Sequence, residues 1–416
     1  MKIKLVSHSD LSGGAARAAY RLHKSLLAAD VESSMLVRVK KSGCHLIQSA
    51  LSNIGKAVNL ARYPIGNLCS RLQSTSNVNL HSVNILPSRW AKILNYSDAA
   101  VINLHWIAGE AMSIEDIGKI KKPVVWTLHD MWAFCGAEHY SLDSRQKFGY
   151  TPSNRLAGHS GLDIDMWVWK RKRKAWNNNM YVVCPSRWLA ECARKSKMMG
   201  GWDVRVIPNP LDTSVFKPIS GSFARSALNL PQETKLVLFG AIGGGEDPRK
   251  GYDLLLDALN CLPINLIGGD LMFVVFGQDE PENPPKLPVS VRWMGRVYDD
   301  ASLVLLYNSA DVMVVPSRQE NLPQTGTEAQ ACGCPVVAFN ATGLSDVVEH
   351  EVTGYLAKPY DPIDMAHGIF WVLEDKKRHS RLGLAARSRA VNLWSFDVVV
   401  PQYLGVYRDA ISKVVQ

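Results

Sequence analysis

Short apolar runs alternate with amphipathic stretches along most of the chain. In the first half the runs at 3–6, 100–104, 124–128 and 181–184 read as strands, and in the second half those at 236–239, 272–276, 289–293, 312–315 and 336–339. Between them the apolar period becomes helical: Ala19, Leu22, Leu26 and Leu27 share a face in a helix predicted over 15–27. Strand and helix in alternation imply parallel sheets covered by helices on both faces, an α/β fold class. The rhythm breaks at Ile207-Pro208-Asn209-Pro210 and stays broken to Pro218, a Pro- and Ser-containing stretch that reads as a linker. Two doubly wound, Rossmann-like domains are therefore expected, residues 1–205 and 206–395, facing across a cleft. In such sheets a ligand sits beyond the carboxyl ends of the strands, so residues that follow strands carry the information.

Composition narrows the picture. The 416 residues suffice for two cores, and 47% apolar against 20% charged residues argues against disorder. No run of 18 apolar residues is present to cross a bilayer. The opening Met1-Lys2-Ile3-Lys4-Leu5-Val6-Ser7 reads as a strand and not as a signal peptide, so a cytoplasmic protein is expected. Eight cysteines lie scattered without a CxxC pair; Cys332 and Cys334 flank Gly333 but are too few to hold a metal. Charge is uneven: residues 1–205 hold 29 Lys and Arg against 14 Asp and Glu, and residues 206–416 hold 18 against 24. Such asymmetry points to an anionic partner of the first half, whether nucleic acid, lipid headgroup or phosphorylated substrate, although a solubilising surface fits as well. Trp167-Val168-Trp169-Lys170-Arg171-Lys172-Arg173-Lys174-Ala175-Trp176, together with residues 54–72 and their Lys56, Arg62 and Arg71, suits an anionic membrane surface; a solvated basic helix with its tryptophans in the core is the competing reading.

Four segments after strands carry candidate chemistry. Ser12-Gly13-Gly14-Ala15-Ala16-Arg17 opens a helix, where glycine admits close backbone approach and free N–H groups favour an anion. Thr127-Leu128-His129-Asp130 would project His129 toward a ligand, with Asp130 orienting it or capping the next turn. The segment Phe239-Gly240-Ala241-Ile242-Gly243-Gly244-Gly245-Glu246-Asp247-Pro248-Arg249-Lys250-Gly251 sets two cations beside a glycine-rich loop, which suits a diphosphate. It is no Walker A loop, since Gly251 follows Lys250. The fourth runs from Pro316 to Pro335: Glu320 lies in a loop, and Glu328 early in a helix predicted to start at Gln324 and stop at Gly333. Backbone N–H groups near Gln324 and Thr325 would face the same place and could bind phosphate, while a carboxylate accepts two hydroxyls of a ribose or sugar at once.

Glu320 and Glu328, with seven residues between them and followed by Ala329-Gln330-Ala331-Cys332-Gly333-Cys334-Pro335-Val336-Val337-Ala338, resemble the E-x7-E signature of the retaining GT-B glycosyltransferases of family 4, of the bacterial surface-polysaccharide type. The resemblance extends through Gly13-Gly14, His129, Cys184-Pro185-Ser186-Arg187-Trp188-Leu189, Val206-Ile207-Pro208-Asn209, Arg249-Lys250-Gly251, Phe276-Gly277 and Gly354-Tyr355-Leu356. It implies a metal-independent transferase that takes a sugar from a UDP- or GDP-linked donor, with no cofactor. The implied acceptor is a saccharide, lipid-linked as in surface-polysaccharide assembly, handled by a protein that is cytoplasmic or peripheral on the inner face of the plasma membrane. By the same resemblance Glu328 holds the donor ribose, with Gln324 and Thr325 beside it. Glu320 contacts the donor sugar, Arg249 and Lys250 neutralise the diphosphate, Gly13 and Gly14 bring backbone close to it, His129 lies near the reacting centre, and Arg296 and its neighbours meet the base. A final helix over 396–416 returns to the first domain. Two departures stand out: Ala241 occupies a position where the family carries arginine, and Pro323, which has no N–H, stands where many members have glycine.

Other classes remain open. A nucleotide-sugar epimerase would need no acceptor, and a phosphorylase would carry pyridoxal phosphate. A non-catalytic nucleic-acid-binding protein would explain the charge but not the glutamate pair.

Overall fold

The computed structural model describes all residues except 50–52, 177–179, 241–242, 244, 264–270, 298 and 416, together with the side chains of 53–60 and 414–415. The chain divides into two compact units, Met1–Asn209 with Val400–Gln416, and Pro210–Val399.

The first unit contains β1 (Ile3–Ser9), β2 (Ser33–Val39), β3 (Ile47–Ser49), β4 (Gln73–Ser74), β5 (Val101–Leu104), β6 (Val124–Thr127), β7 (Ser160–Gly161), β8 (Tyr181–Cys184) and β9 (Val204–Val206). Seven of these form one sheet in the order β3-β2-β1-β5-β6-β8-β9, every pair parallel, while β4 and β7 make a separate antiparallel pair. Strands buried on both faces read as unbroken apolar runs: all four residues of Val101–Leu104 and of Val124–Thr127 are buried. From β1 the chain goes first to one side and then, at β5, to the other. The carboxyl ends of β1 and β5 therefore flank a topological switch point, where helices on opposite faces leave a crevice. The last helix, Phe396–Val415, lays Tyr403 and Tyr407 on this sheet; Tyr407 donates to Asn103 Oδ1 at 2.7 Å, and the Tyr403 hydroxyl meets Thr127 Oγ1 at 3.4 Å.

In the second unit β10 (Lys235–Gly240), β11 (Leu271–Phe276), β12 (Ser290–Trp293), β13 (Val312–Val315), β14 (Val336–Phe339) and β15 (Gly354–Ala357) form an all-parallel sheet in the order β12-β11-β10-β13-β14-β15. Its switch point lies between β10 and β13, whose ends carry the Arg249-Lys250 and the Glu320 segments. The core is aliphatic with a few rings: Leu236, Leu238, Phe273, Val275, Met313 and Val337 are fully buried.

The basic stretch does not form an open aromatic face. Helix Ile164–Ala175 buries Val168, Trp169 and Lys172, and Trp176 follows in the core; Trp167, Lys170, Arg173 and Lys174 remain exposed. The Lys172 ammonium donates to the carbonyls of Trp132, Cys135 and Gly136 and sits 3.9 Å above the Trp132 ring. Arg62, on helix Asn53–Ser70, is also buried and donates to the carbonyls of Glu110, Leu86 and Pro87. The side chain of Lys56 lies outside the described residues. Among the described residues no helix is long and apolar enough to cross a membrane.

Candidate functional site

Beyond β13 the chain makes a loop and enters the helix Gln324–Ala331, which Pro323 opens without a side-chain cap. Pro323 contributes its carbonyl to Gly326 N and Thr327 N, so the proline that removes an N–H still anchors the first turn. Gln324 and Thr325 are half-buried at the helix start, where the first N–H groups have no partner within the helix itself. Glu328 lies one turn on, 3% exposed, and its Oε2 accepts a 2.6 Å hydrogen bond from Tyr307 of helix Asp300–Ser309. The carboxylate is thereby fixed in orientation by a buried phenol.

Glu320 sits in the loop itself. Its backbone N–H donates to Thr342 Oγ1 at 3.2 Å, and its carbonyl accepts from Gly343 N at 3.0 Å. A Cβ on Gly343 would lie 1.4 Å from Asn321 O, so only glycine allows the two loops to meet this closely. The Lys250 ammonium forms an ion pair with Glu320 Oε1, the side chains 26% and 14% exposed. Lys250 ends a short 3₁₀ turn, Pro248–Lys250, capped by Asp247 and closed by Gly251 at φ 64°. A Cβ on Gly251 would fall 2.0 Å from Pro316 O. The two loops are clamped further: Arg318 N donates to Arg249 O at 2.7 Å, and the Arg318 guanidinium pairs with both oxygens of Asp253 at 2.7 and 2.6 Å. That fork holds the Asp253 carboxyl below its usual range.

The structure thus brings Lys250, Glu320, Glu328 and the Gln324–Thr325 helix start to one edge of the second sheet, at its switch point. Arg249 reaches the same turn, with its guanidinium pairing with Asp247 at 2.6 Å. Arg296 lies apart on the loop after β12, exposed and 4.0 Å from Asp279. Ala241, Ile242 and Gly244 lie outside the described residues, and Ala241 is the position that carries arginine in the resembled family.

In the first unit Gly13 precedes helix Gly14–Ala28 with φ 87° and ψ 170°, a conformation reserved for glycine, while a Cβ there would meet nothing within 4 Å. Backbone conformation, not crowding, sets its identity. His129 stands at the end of β6, and burial pushes its pKa down to about 4. Asp130, expected either to orient His129 or to cap a turn, caps the turn, with Oδ1 accepting from Trp132 N at 2.9 Å, and its charge also acts on His129. Its Oδ2 takes Trp106 Nε1 at 2.8 Å and His139 Nδ1 at 2.6 Å. His139 in turn meets Ser82 Oγ at 2.8 Å, a buried relay that locks the loop after β6.

Several residues here escaped the sequence. Tyr307 is a helical tyrosine whose pattern is that of any core ring. Thr342 and Gly343 follow β14, a strand end where no charge drew attention. His105 follows β5 as His129 follows β6, and the same strand-end rule applied there would have found it.

Two doubly wound α/β units, the second with an ion pair and a buried carboxylate at its switch point, define the GT-B class of fold. Residues 12–215 match the model of Glycosyltransferase Family 4, and residues 223–389 match that of Glycosyl transferases group 1. D-inositol 3-phosphate glycosyltransferase 1 of Catenulispora acidiphila is 31% identical over 330 residues, 74% of this chain and 71% of that protein. The chain belongs to this family of group 1, family 4 glycosyltransferases. A D-inositol 3-phosphate glycosyltransferase from Salinispora tropica is 32% identical over 231 residues, 50% of this chain; the chain spans about half of that relative's length, 47%. In fold the chain is similar to the Anabaena protein HepE in complex with UDP-glucose, with a TM-score of 0.65 at 17% identity, over 99% of this chain and 100% of that one.

Proposed function

We propose that the chain is a retaining glycosyltransferase whose second unit binds a uridine- or guanosine-diphosphate sugar. The observation that carries the reading is the Lys250–Glu320 pair beside Glu328, held at a switch point by two glycine-dependent loop contacts. Departure of the diphosphate builds negative charge, and a fixed ammonium with a helix N-terminus aimed at it lowers the barrier. In this reading Lys250 exchanges part of its contact with Glu320 for the phosphate, which leaves the Glu320 carboxylate to accept sugar hydroxyls. Glu328, oriented by Tyr307, takes the ribose hydroxyls, and Arg249 supplies further positive charge. The bond from the anomeric carbon to the phosphate breaks, the acceptor oxygen bonds to that carbon on the same face, and its proton passes to the leaving phosphate, so transfer keeps the anomeric configuration.

The acceptor is anionic in this reading, in keeping with the 29 to 14 excess of basic residues over 1–205. A phosphorylated polyol is favoured by the names of the curated relatives; a lipid-linked saccharide at a membrane surface is the alternative, and it is weakened by the burial of Arg62, Trp169 and Lys172.

Thermal-shift titration with UDP- and GDP-sugars, on wild type and Glu328→Ala, tests the donor site. One donor should raise the melting temperature of the wild type and have a smaller effect on the variant. Release of nucleoside diphosphate with inositol phosphate or a lipid-linked saccharide then identifies the acceptor, and NMR of the product's anomeric proton reads retention. Absence of any shift with every nucleotide would sink the proposal.

A further inference from the structure

His105 and His129 end the neighbouring strands β5 and β6, and their rings stack with centroids 5.3 Å apart and planes at 23°. His105 Nδ1 lies 3.0 Å from His129 Nε2. Two neutral imidazoles at that distance share one proton, so one nitrogen must donate and the other accept. A second observation decides which. His105 is 3% exposed, and its Nε2 is buried without a hydrogen-bond partner. The small recess around the pair is lined by Trp106, Ile107, Ala108, Trp126, Leu128, Trp132 and Ala133, with Asp130 the one carboxylate, besides the two histidines.

A proton on His105 Nε2 would leave a buried N–H orphaned, since that nitrogen has no hydrogen-bond partner, Asp130 included, and orphaned buried N–H groups are rarer than under-satisfied acceptors. The proton of His105 therefore belongs on Nδ1, where it donates to His129 Nε2. His129 Nε2 is then an acceptor, and the single proton of its neutral ring sits on Nδ1. Burial opposes a second proton on His129, against the pull of the Asp130 charge, and the hydrogen bond from His105 occupies the nitrogen that would take it.

We infer that His105 is a positioning residue that holds His129 as the neutral Nδ1–H tautomer, making it a hydrogen-bond donor rather than a general base. The inference rests on the proposed glycosyl transfer only for its readout in turnover. The tautomer itself does not depend on it.

Nitrogen-15 NMR of the full chain, labelled at histidine, reads the tautomer without substrate. His129, assigned through His129→Gln, should give a protonated-type Nδ1 and an unprotonated-type Nε2. His105→Phe fills the space without a donor and should move His129 toward Nε2–H. His105→Asn returns an N–H near the lost Nδ1 and should restore the wild-type signature. In turnover His105→Phe should lower kcat roughly 10²-fold with little change in KM, with His105→Asn recovering most of it. A wild-type His129 protonated on Nε2 would overturn the inference even if the phenylalanine variant failed to fold. So would a folded His105→Phe that kept the Nδ1–H signature. Should the glycosyl-transfer reading itself fail, no nucleotide sugar would turn over in the wild type, and the Nδ1–H signature would still be present.

Discussion

Tyr307→Phe isolates one bond that the proposed donor site is built on. The substitution deletes a hydroxyl and keeps the ring, which is fully buried and packs edge-on against Phe276, with centroids 6.0 Å apart. What disappears is the 2.6 Å bond to Glu328 Oε2, on a carboxylate only 3% exposed. A hydrogen bond to a charged group contributes about 1.5–3 kcal/mol. About 2 kcal/mol is therefore expected, which for a unit of this size lowers the melting temperature by ~4–8 °C. Chemical denaturation should give the same loss with an unchanged m-value. If Glu328 holds the donor as proposed, the donor would also bind more weakly, because Glu328 loses one partner that orients it. A cycle with Glu328→Gln separates the two effects: if the bond is the cause, the double variant loses less than the sum of the singles. Wild-type stability in Tyr307→Phe, together with additive behaviour in the cycle, would refute the claim that this phenol holds the carboxylate.

Three further outcomes follow from the same contacts. Gly343→Ala places a Cβ 1.4 Å from Asn321 O and should cost about 3 kcal/mol, with donor binding lost in thermal-shift assays even where the sheet survives. Lys250→Met removes the cation paired with Glu320 and should lower kcat/KM for the proposed transfer by roughly 10²–10³-fold while circular dichroism stays native; undiminished turnover would remove Lys250 from the chemistry. Lys172→Met leaves the carbonyls of Trp132, Cys135 and Gly136 without their shared donor and should destabilise the first unit by about 3 kcal/mol in urea titration.

The strands at 181–184, 312–315 and 336–339 were legible because each is short, apolar and buried on both faces. β2 was not: it opens on two serines and carries Arg38, whose charge hides a position that is 7% exposed and stacked 4.4 Å over Trp90. β9 has only three residues, too few to set a period. The basic stretch misled for a related reason. A sequence counts Lys172 and Arg62 as surface charge, but each is surrounded by carbonyl oxygens that only the folded loops bring together. What a sequence gives directly is the type of group at the end of a strand. Whether a basic residue faces a ligand or satisfies the backbone depends on which carbonyls the rest of the chain leaves unpaired. By that criterion Lys250, paired with a carboxylate and a quarter exposed, differs from Lys172, which is spent on three carbonyls and fully buried, although both read alike as lysines in basic segments. The positive excess of the first 205 residues therefore overstates the charge available to a partner, and an anionic acceptor of the proposed kind would meet only the bases that remain exposed, Lys170, Arg173 and Lys174 among them.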